Sequence, residues 1–145
     1  MGDSIFAVFE EPLNAIIAAV EIQKQFNILN FFRLKDGENA IELRIGIHTG
    51  PSTVASIGTL EFMELTYIGD AVNTASRLEK AAEPGMILIS NSTADLVFSH
   101  LELGKAVEVK VKGKKEPLAG HYVVRVRFQR RDGKEISIGL DDDVF

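Results

Sequence analysis

The chain has 145 residues, a formal net charge of −5 at pH 7 and 46% hydrophobic residues, which is enough apolar material for one domain with one core. The acidic balance disfavours a nucleic-acid-binding surface but allows a local basic site for a polyphosphate. Because cysteine is absent, disulfides and thiolate metal ligands are excluded. We recognise neither a signal peptide nor a bilayer-spanning apolar run, so we expect a cytoplasmic segment without membrane contact, which sensor or membrane domains could still tether.

The first part of the chain predicts strands around one long helix. Residues 5–9 are short and apolar, which is typical of a buried strand. Residues 12–32 predict a helix that starts at a proline, and because its apolar residues fall on two sides we expect burial between two surfaces. After a polar turn, residues 41–48 and about 61–67 are predicted as strands that form an antiparallel pair.

A second helix is predicted over residues 71–83, with Asp70 as its N-cap and a Pro-Gly pair at its end. At about 100° per residue, its alanines and Leu78 share one stripe. Asn73 and Arg77 lie one turn apart on roughly the opposite side, which therefore faces solvent, a ligand or a partner. Taken alone, such a pair is most often part of an ordinary solvated surface.

The later segments predict further strands and a small helix. Residues 86–89 form a short apolar run typical of a buried strand. A helix near residues 93–98 is predicted to open at Ser92, with Asp95 at the capping-box spacing. Alternating apolar and polar residues predict strands at 107–111 and 122–128, each with one wet face.

The order of these elements predicts an α+β fold, compatible with a ferredoxin-like sheet backed by helices. Residues 129–145 follow as a C-terminal tail, in which 135–140 could form one more strand after a turn. Residues 141–143 are three consecutive aspartates, which we expect to be a solvated acidic end. Cation binding by this triplet is the weaker alternative, because no other ligands accompany it.

Four segments, in order, resemble the class III nucleotide cyclases, the catalytic domains of adenylate and guanylate cyclases. Residues 67–79, YIGDAVNTASRLE, are similar to the signature of that family. LRIGIHTG at 43–50 resembles its central strand and glycine turn, and VKGKKEP at 111–117 its lysine-bearing turn. The opening GDSIFAVF at 2–9 matches its Gly-Asp hairpin. The resemblance implies a partial cyclase domain over residues 1–128, followed by the tail.

The resemblance implies roles for three residues in the cyclisation of a nucleoside triphosphate. Asn73 would orient the ribose, and Arg77 would stabilise the charge that develops at the α-phosphate. Asp3 takes the position of one of the two aspartates that hold a pair of Mg²⁺ or Mn²⁺ ions, although Gly-Asp is also a common turn sequence.

Three further residues match binding positions of the family. Arg44 and Lys114 correspond to residues that hold the β- and γ-phosphates; a strand-end arginine and a solvated lysine among several are the plain alternatives. Thr66 matches the base-reading position of the ATP-specific bacterial subgroup, where its hydroxyl could accept from the adenine 6-amino group. The implied activity is an adenylate cyclase that makes 3′,5′-cyclic AMP and pyrophosphate from ATP at a homodimer interface.

The resemblance also implies missing parts. The family's first strand with its metal aspartate, a phosphate loop, two helices and a strand with a base-reading lysine should precede Gly2. We therefore expect half of a two-metal site and no activity of this fragment alone. The competing interpretation is a non-catalytic cyclase-homology module for dimerisation or regulation in signalling. A diguanylate-cyclase-like or polymerase-palm-like domain ranks last. The three histidines lack metal-ligand spacing, and His48 is expected to be structural.

Overall fold

The computed structural model describes residues 3–51, 53–57, 64–113 and 116–144; for residues 53–57 and 64–68 it describes the backbone alone. In chain order the elements are α1 (Pro12–Lys35), β1 (Ile45–Ile47), β2 (Thr53–Ile57), β3 (Glu64–Ile68), α2 (Asp70–Ala81), β4 (Ile87–Ser90), α3 (Asn91–Leu96), a 3₁₀ turn (Phe98–His100), β5 (Leu101–Val109), β6 (Leu118–Gln129) and β7 (Glu135–Gly139). This α+β architecture confirms the predicted fold class. No helix of the described ranges is long and apolar enough to cross a membrane.

The larger sheet has the strand order β1-β4-β6-β5, with β7 also paired to β6. β1 and β4 run parallel, whereas the other pairs are antiparallel. β5 covers one side of β6 as far as Val126, so β7, which pairs with residues 125–129, lies on the other side beyond β4. The extra strand predicted in the tail is therefore present. β2 and β3 form a separate two-stranded hairpin.

Successive side chains of β4 point to opposite faces of the sheet and separate two apolar clusters. On one face, Ile87 and Ile89 pack with Ile16 and Val20 of α1. On the other face, Leu88 packs with Leu78 of α2. Helix α1 and helix α2 thus lie on opposite faces of the same sheet.

A buried glutamine ties α1 to the strands beneath it. Gln23 is 1% exposed, and its Nε2 donates to the carbonyl oxygens of Leu43 at 2.9 Å and Met86 at 3.1 Å. Its burial is compatible with folding because the amide is hydrogen-bonded.

Two predictions about the first part of the chain are wrong. Residues 5–9 are not a buried strand: they take part in none of the strand pairings of the described residues, and Ile5 is 97% exposed. Their apolar composition cannot supply the paired backbone that a strand needs. Helix α1 is not buried on two sides either. It rests one side on the sheet, while Ile22 and Leu29 are 44% and 43% exposed on the other.

The predicted pairing of 41–48 with about 61–67 is also wrong. β1 pairs in parallel with β4, and β3 pairs with β2, a strand that the sequence pattern had assigned to a link. Glycine and proline before β2 and glycine after it are typical of a link, although the five residues between them pair with a strand that follows in the chain.

Both predicted caps lie elsewhere. The N-cap of α2 is Gly69, with φ of 134°, a conformation that favours glycine, and Asp70 is the first helical residue. An acidic residue in this turn still complements the positive end of the helix dipole. The N-cap of α3 is Ser90 and not Ser92: the Ser90 hydroxyl accepts from the backbone N–H of Thr93 at 3.4 Å.

The acidic end is not simply solvated. Arg125 donates to the carboxylates of Asp141 at 2.8 Å and Asp142 at 2.5 Å, and Asp142 also pairs with Lys24 of α1 at 3.3 Å. The hydrogen bond from Arg125, followed by the one from the backbone N–H of Gly139, lowers the pKa of Asp142 to about 2. The tail is therefore fastened to both the sheet and α1.

Candidate active site

The exposed side of α2 carries the two residues that the sequence analysis emphasised. Leu78 is fully buried, and Ala71 and Ala75 are partly buried, whereas Asn73 and Arg77 are exposed one turn apart. The predicted division of this helix into a packed side and an open side is confirmed. An amide and a guanidinium so placed can donate hydrogen bonds to the oxygens of one ligand.

The position of α2 is fixed by direct contact between backbones. A Cβ added at Gly46 of β1 would lie 2.2 Å from the nitrogen of Glu79 and 2.6 Å from the carbonyl oxygen of Ala75. A Cβ at Gly50 would lie 3.2 Å from the Cβ of Ala71. Helix α2 therefore runs antiparallel to the chain from Gly46 to Gly50. An isolated glycine in a strand pattern signals such a close approach, so Gly46 is the residue in the sequence that could have predicted this contact.

A network of hydroxyl groups surrounds His48 at the end of β1. His48 Nδ1 lies 2.7 Å from Ser90 Oγ, and Ser90 Oγ lies 3.0 Å from Thr93 Oγ1. Thr49 Oγ1 lies 2.9 Å from the same Thr93 hydroxyl. These bonds join the residues after β1 to the start of α3, which agrees with a structural histidine.

Arg44 is exposed and lies away from Asn73. Its neighbours are bonded to the turn after α2: Gly85 N donates to Leu43 O at 2.8 Å, and Ile45 N donates to Met86 O at 3.2 Å. Asn73, in contrast, lies in the first turn of α2. At a rise of 1.5 Å per residue, Asn73 lies about 12 Å along the helix axis from Ala81, the last residue of α2. Within one chain, Arg44 and Asn73 therefore lie near opposite ends of α2 and are not brought together.

The structure describes only some of the other predicted site residues. Thr66 lies in β3 with its backbone opposite Ala55, and its side chain is outside the description. Lys114 and Gly2 lie outside the described residues. Asp3 is exposed.

Class III cyclases generally use divalent metal ions. In the part of the chain that the structure describes, no three His, Cys, Asp or Glu side chains are grouped so that they could hold a metal ion. A single carboxylate such as Asp3 does not make a two-metal site, so the described residues alone do not fit one, and no catalytic step is derived through a metal.

The chain is similar to known adenylate and guanylate cyclases. The family model for the adenylate and guanylate cyclase catalytic domain matches residues 1–125. The chain is 30% identical over 137 residues to the terminal-differentiation-specific adenylate cyclase of Dictyostelium discoideum, a match that covers 86% of this chain and 6% of that protein.

Two solved structures have a similar fold. The adenylyl cyclase CyaB from P. aeruginosa is 34% identical with a TM-score of 0.71, and the guanylyl cyclase Cya2 is 26% identical with a TM-score of 0.72. Each match covers 83% of this chain and 61% of the solved chain. The chain therefore spans a small part of the curated relative and about three fifths of the solved chains.

Proposed function

This chain belongs to the family of adenylate and guanylate cyclase catalytic domains, and we propose that it is part of the catalytic domain of an adenylate cyclase. Such an enzyme converts ATP to 3′,5′-cyclic AMP and pyrophosphate. One observation carries the proposal: Asn73 and Arg77 stand one turn apart on the open side of a helix whose other side is fixed against β1. This arrangement suits a ligand that offers a ribose and a phosphate close together.

The roles follow from the charge that develops in the reaction. The ribose 3′-hydroxyl loses its proton to solvent or a base as its oxygen bonds to the α-phosphorus, and the bond from that phosphorus to the bridging oxygen of pyrophosphate breaks. Negative charge therefore grows on the α-phosphate and on the leaving oxygen. The Arg77 guanidinium, always charged, can donate two parallel hydrogen bonds to such oxygens. The Asn73 amide both donates and accepts, so it can orient the ribose. Preorganised donors of this kind contribute about 3 kcal/mol each.

The phosphate and metal positions are proposed to come from a second copy of the chain. Arg44 lies beside the turn that follows α2, whereas Asn73 lies about 12 Å before the end of that helix, and this separation favours a head-to-tail homodimer with sites at the interface. One subunit would then present Arg44 and Asp3, and the other Asn73 and Arg77. Lys114 is proposed to hold the terminal phosphates. Asp3 is proposed as one ligand of Mg²⁺ or Mn²⁺.

The dimer proposal is tested by mixing variants of the full-length gene product. Asp3→Ala and Arg77→Ala homodimers should each make almost no cyclic AMP. In the mixture, each heterodimer should regain about one working site, because one of its two interfaces keeps both intact residues. Arg131→Ala, an exposed arginine far from α2 in the sequence, is the matched control and should leave turnover unchanged.

Two results would contradict the proposal. Failure of the mixture to regain activity, with heterodimers demonstrated, would argue for sites within single chains. Heterodimers and wild-type homodimers that both form without producing any cyclic nucleotide would instead support a non-catalytic cyclase-homology module.

Preference for ATP over GTP rests on Thr66. The similar proteins include both adenylyl and guanylyl cyclases, so the family alone does not choose between the bases. A threonine hydroxyl can accept from the adenine 6-amino group, whereas a glutamate carboxylate, which only accepts, can bind the N1–H and 2-amino donors that guanine has and adenine lacks. We expect higher kcat/KM for ATP, and a reduced preference in Thr66→Glu. Faster turnover of GTP by the unmodified protein would refute this assignment.

A further inference from the structure

His48 lies between two parts of the structure that its sequence position does not connect. On one side its Nδ1 is bonded to Ser90, the N-cap residue of α3, at 2.7 Å. On the other side its Nε2 lies 3.5 Å from the point where a Cβ at Gly50 would be, and that point is 3.2 Å from the Cβ of Ala71. The place that a side chain at Gly50 would take thus lies between the imidazole edge and the first turn of α2, and Gly50 is adjacent to both.

The anchored side of the ring is rigid. Ser90 is 1% exposed and Thr93 is fully buried, and their hydroxyls are bonded to each other at 3.0 Å. Thr49 adds a second cross-link to Thr93 at 2.9 Å. Two neighbouring residues are therefore tied to the same buried pair, and the ring has a fixed support from which to contact Gly50.

The contacted side leads directly to the proposed site. Ala71 belongs to the first turn of α2, and the first backbone hydrogen bond of that helix runs from Asn73 N to Gly69 O at 3.3 Å. Asn73 stands two residues beyond Ala71. A displacement of this turn therefore displaces Asn73, while Arg77, one turn further on, is held by the contact at Gly46.

We infer that His48 is a positioning residue: its ring, supported by Ser90, holds Gly50 against Ala71 and so sets the first turn of α2 and the place of Asn73. The inference rests on the proposed role of Asn73 in orienting the ribose. It predicts a local effect at one end of α2, which a general loss of stability would not produce.

The first test is amide hydrogen exchange of the full-length gene product. In His48→Ala we expect the backbone N–H of Asn73 to exchange about tenfold faster than in wild type, and the backbone N–H groups of Leu78 and Glu79 to exchange at the wild-type rate. His48→Asn keeps a polar atom where Nδ1 bonds Ser90 but lacks the ring edge. It should speed exchange at Asn73 and leave the Thr93 amide unchanged.

The matched control is His121→Ala. His121 Nδ1 makes a comparable bond, 2.8 Å to Asn91 Oδ1, at the start of the same helix α3. Its loss should not change exchange at Asn73. Two results would overturn the inference: faster exchange along the whole of α2 in His48→Asn, or an exchange rate at Asn73 that is the same as in wild type.

The second readout is turnover of ATP. Because Arg44 and Lys114, which are proposed to hold the β- and γ-phosphates, lie outside α2, His48→Asn should lower kcat about tenfold and keep KM within about twofold, as expected when ribose orientation is impaired. A raised KM with unchanged kcat would contradict the inference. If the exchange pattern appears but wild-type protein makes no cyclic nucleotide, the proposed function fails and the positioning of the turn stands. If turnover occurs without the exchange pattern, the positioning role alone is refuted.

Discussion

Replacing Gly46 with alanine should move helix α2 or destabilise the chain, because the added methyl group has no space. Its Cβ would lie 2.2, 2.6 and 2.8 Å from the nitrogen of Glu79, the carbonyl oxygen of Ala75 and the Cα of Glu79. All three atoms belong to the backbone of α2. A flexible side chain could turn away from such a contact, whereas a helix backbone must move as a unit.

The size of the effect follows from these distances. Ordinary contact begins near 3.4 Å, so helix and strand must separate by more than 1 Å. Overpacking of this kind costs about 1–3 kcal/mol, and the separation also loosens the fully buried Leu78. The reduced freedom of the unfolded chain returns less than about 1 kcal/mol. We expect a net loss of about 2 kcal/mol, which lowers Tm by about 6 °C for a chain of this size.

The assay is urea unfolding of Gly46→Ala beside Gly104→Ala. In the control, the added Cβ would first meet Val124 Cγ2 at 3.2 Å, the end of a side chain that can yield. The control should lose less than about 1 kcal/mol. Since a displacement of about 1 Å can cost about a hundredfold in rate, turnover of the full-length Gly46→Ala protein should fall by about that factor. If Gly46→Ala equals wild type in both stability and turnover, the close contact between β1 and α2 is wrong.

Two further predictions concern polar contacts away from the site. Asp142→Asn should lower the free energy of unfolding by about 1 kcal/mol at neutral pH, and Asp143→Asn is the control that should be nearly neutral. The pKa of Asp142 in the folded chain is lowered from 3.8 to about 2. The stability that Asp142 contributes is therefore present above pH 3.8 and is lost as the pH falls toward 2. Gln23→Leu should cost about 1–2 kcal/mol in urea unfolding, since it removes two buried hydrogen bonds, whereas exposed Gln25→Leu should be close to neutral.

A continuous local pattern predicted helix α2 well. Helix α2 was predicted over 71–83 and spans Asp70–Ala81, because its apolar stripe and its Pro-Gly end lie in one continuous segment. Strand pairing was predicted less well, since the sequence around β2 does not specify which strand lies beside it. Helical spacing predicted that Asn73 and Arg77 are exposed on one side of α2, and the family resemblance alone implied their roles. The separation of Arg44 from Asn73 required the packing of β1 on that helix.

The ion pairs of the tail show how one long-range feature brings about another. Three aspartates in sequence indicate a solvated end, and nothing local points to a partner. Once β7 pairs with β6, however, Arg125 stands opposite Gly139. The chain then needs only two or three residues to bring Asp141 and Asp142 to the guanidinium. The register of a hairpin, and not the acidic sequence itself, therefore determines where these carboxylates bind.

The segment from Ile45 to Gly50 alternates between residues that face the core and residues that face α2. Residues two apart share a face of an extended chain. Ile45 and Ile47 pack against the core on the α1 side, whereas Gly46 and Gly50 approach α2 and leave room for its backbone. His48 is the large residue between the two glycines, and its ring is held by Ser90. A larger residue at either glycine would push α2 away, and a smaller one at His48 would leave the first turn of α2 without its support.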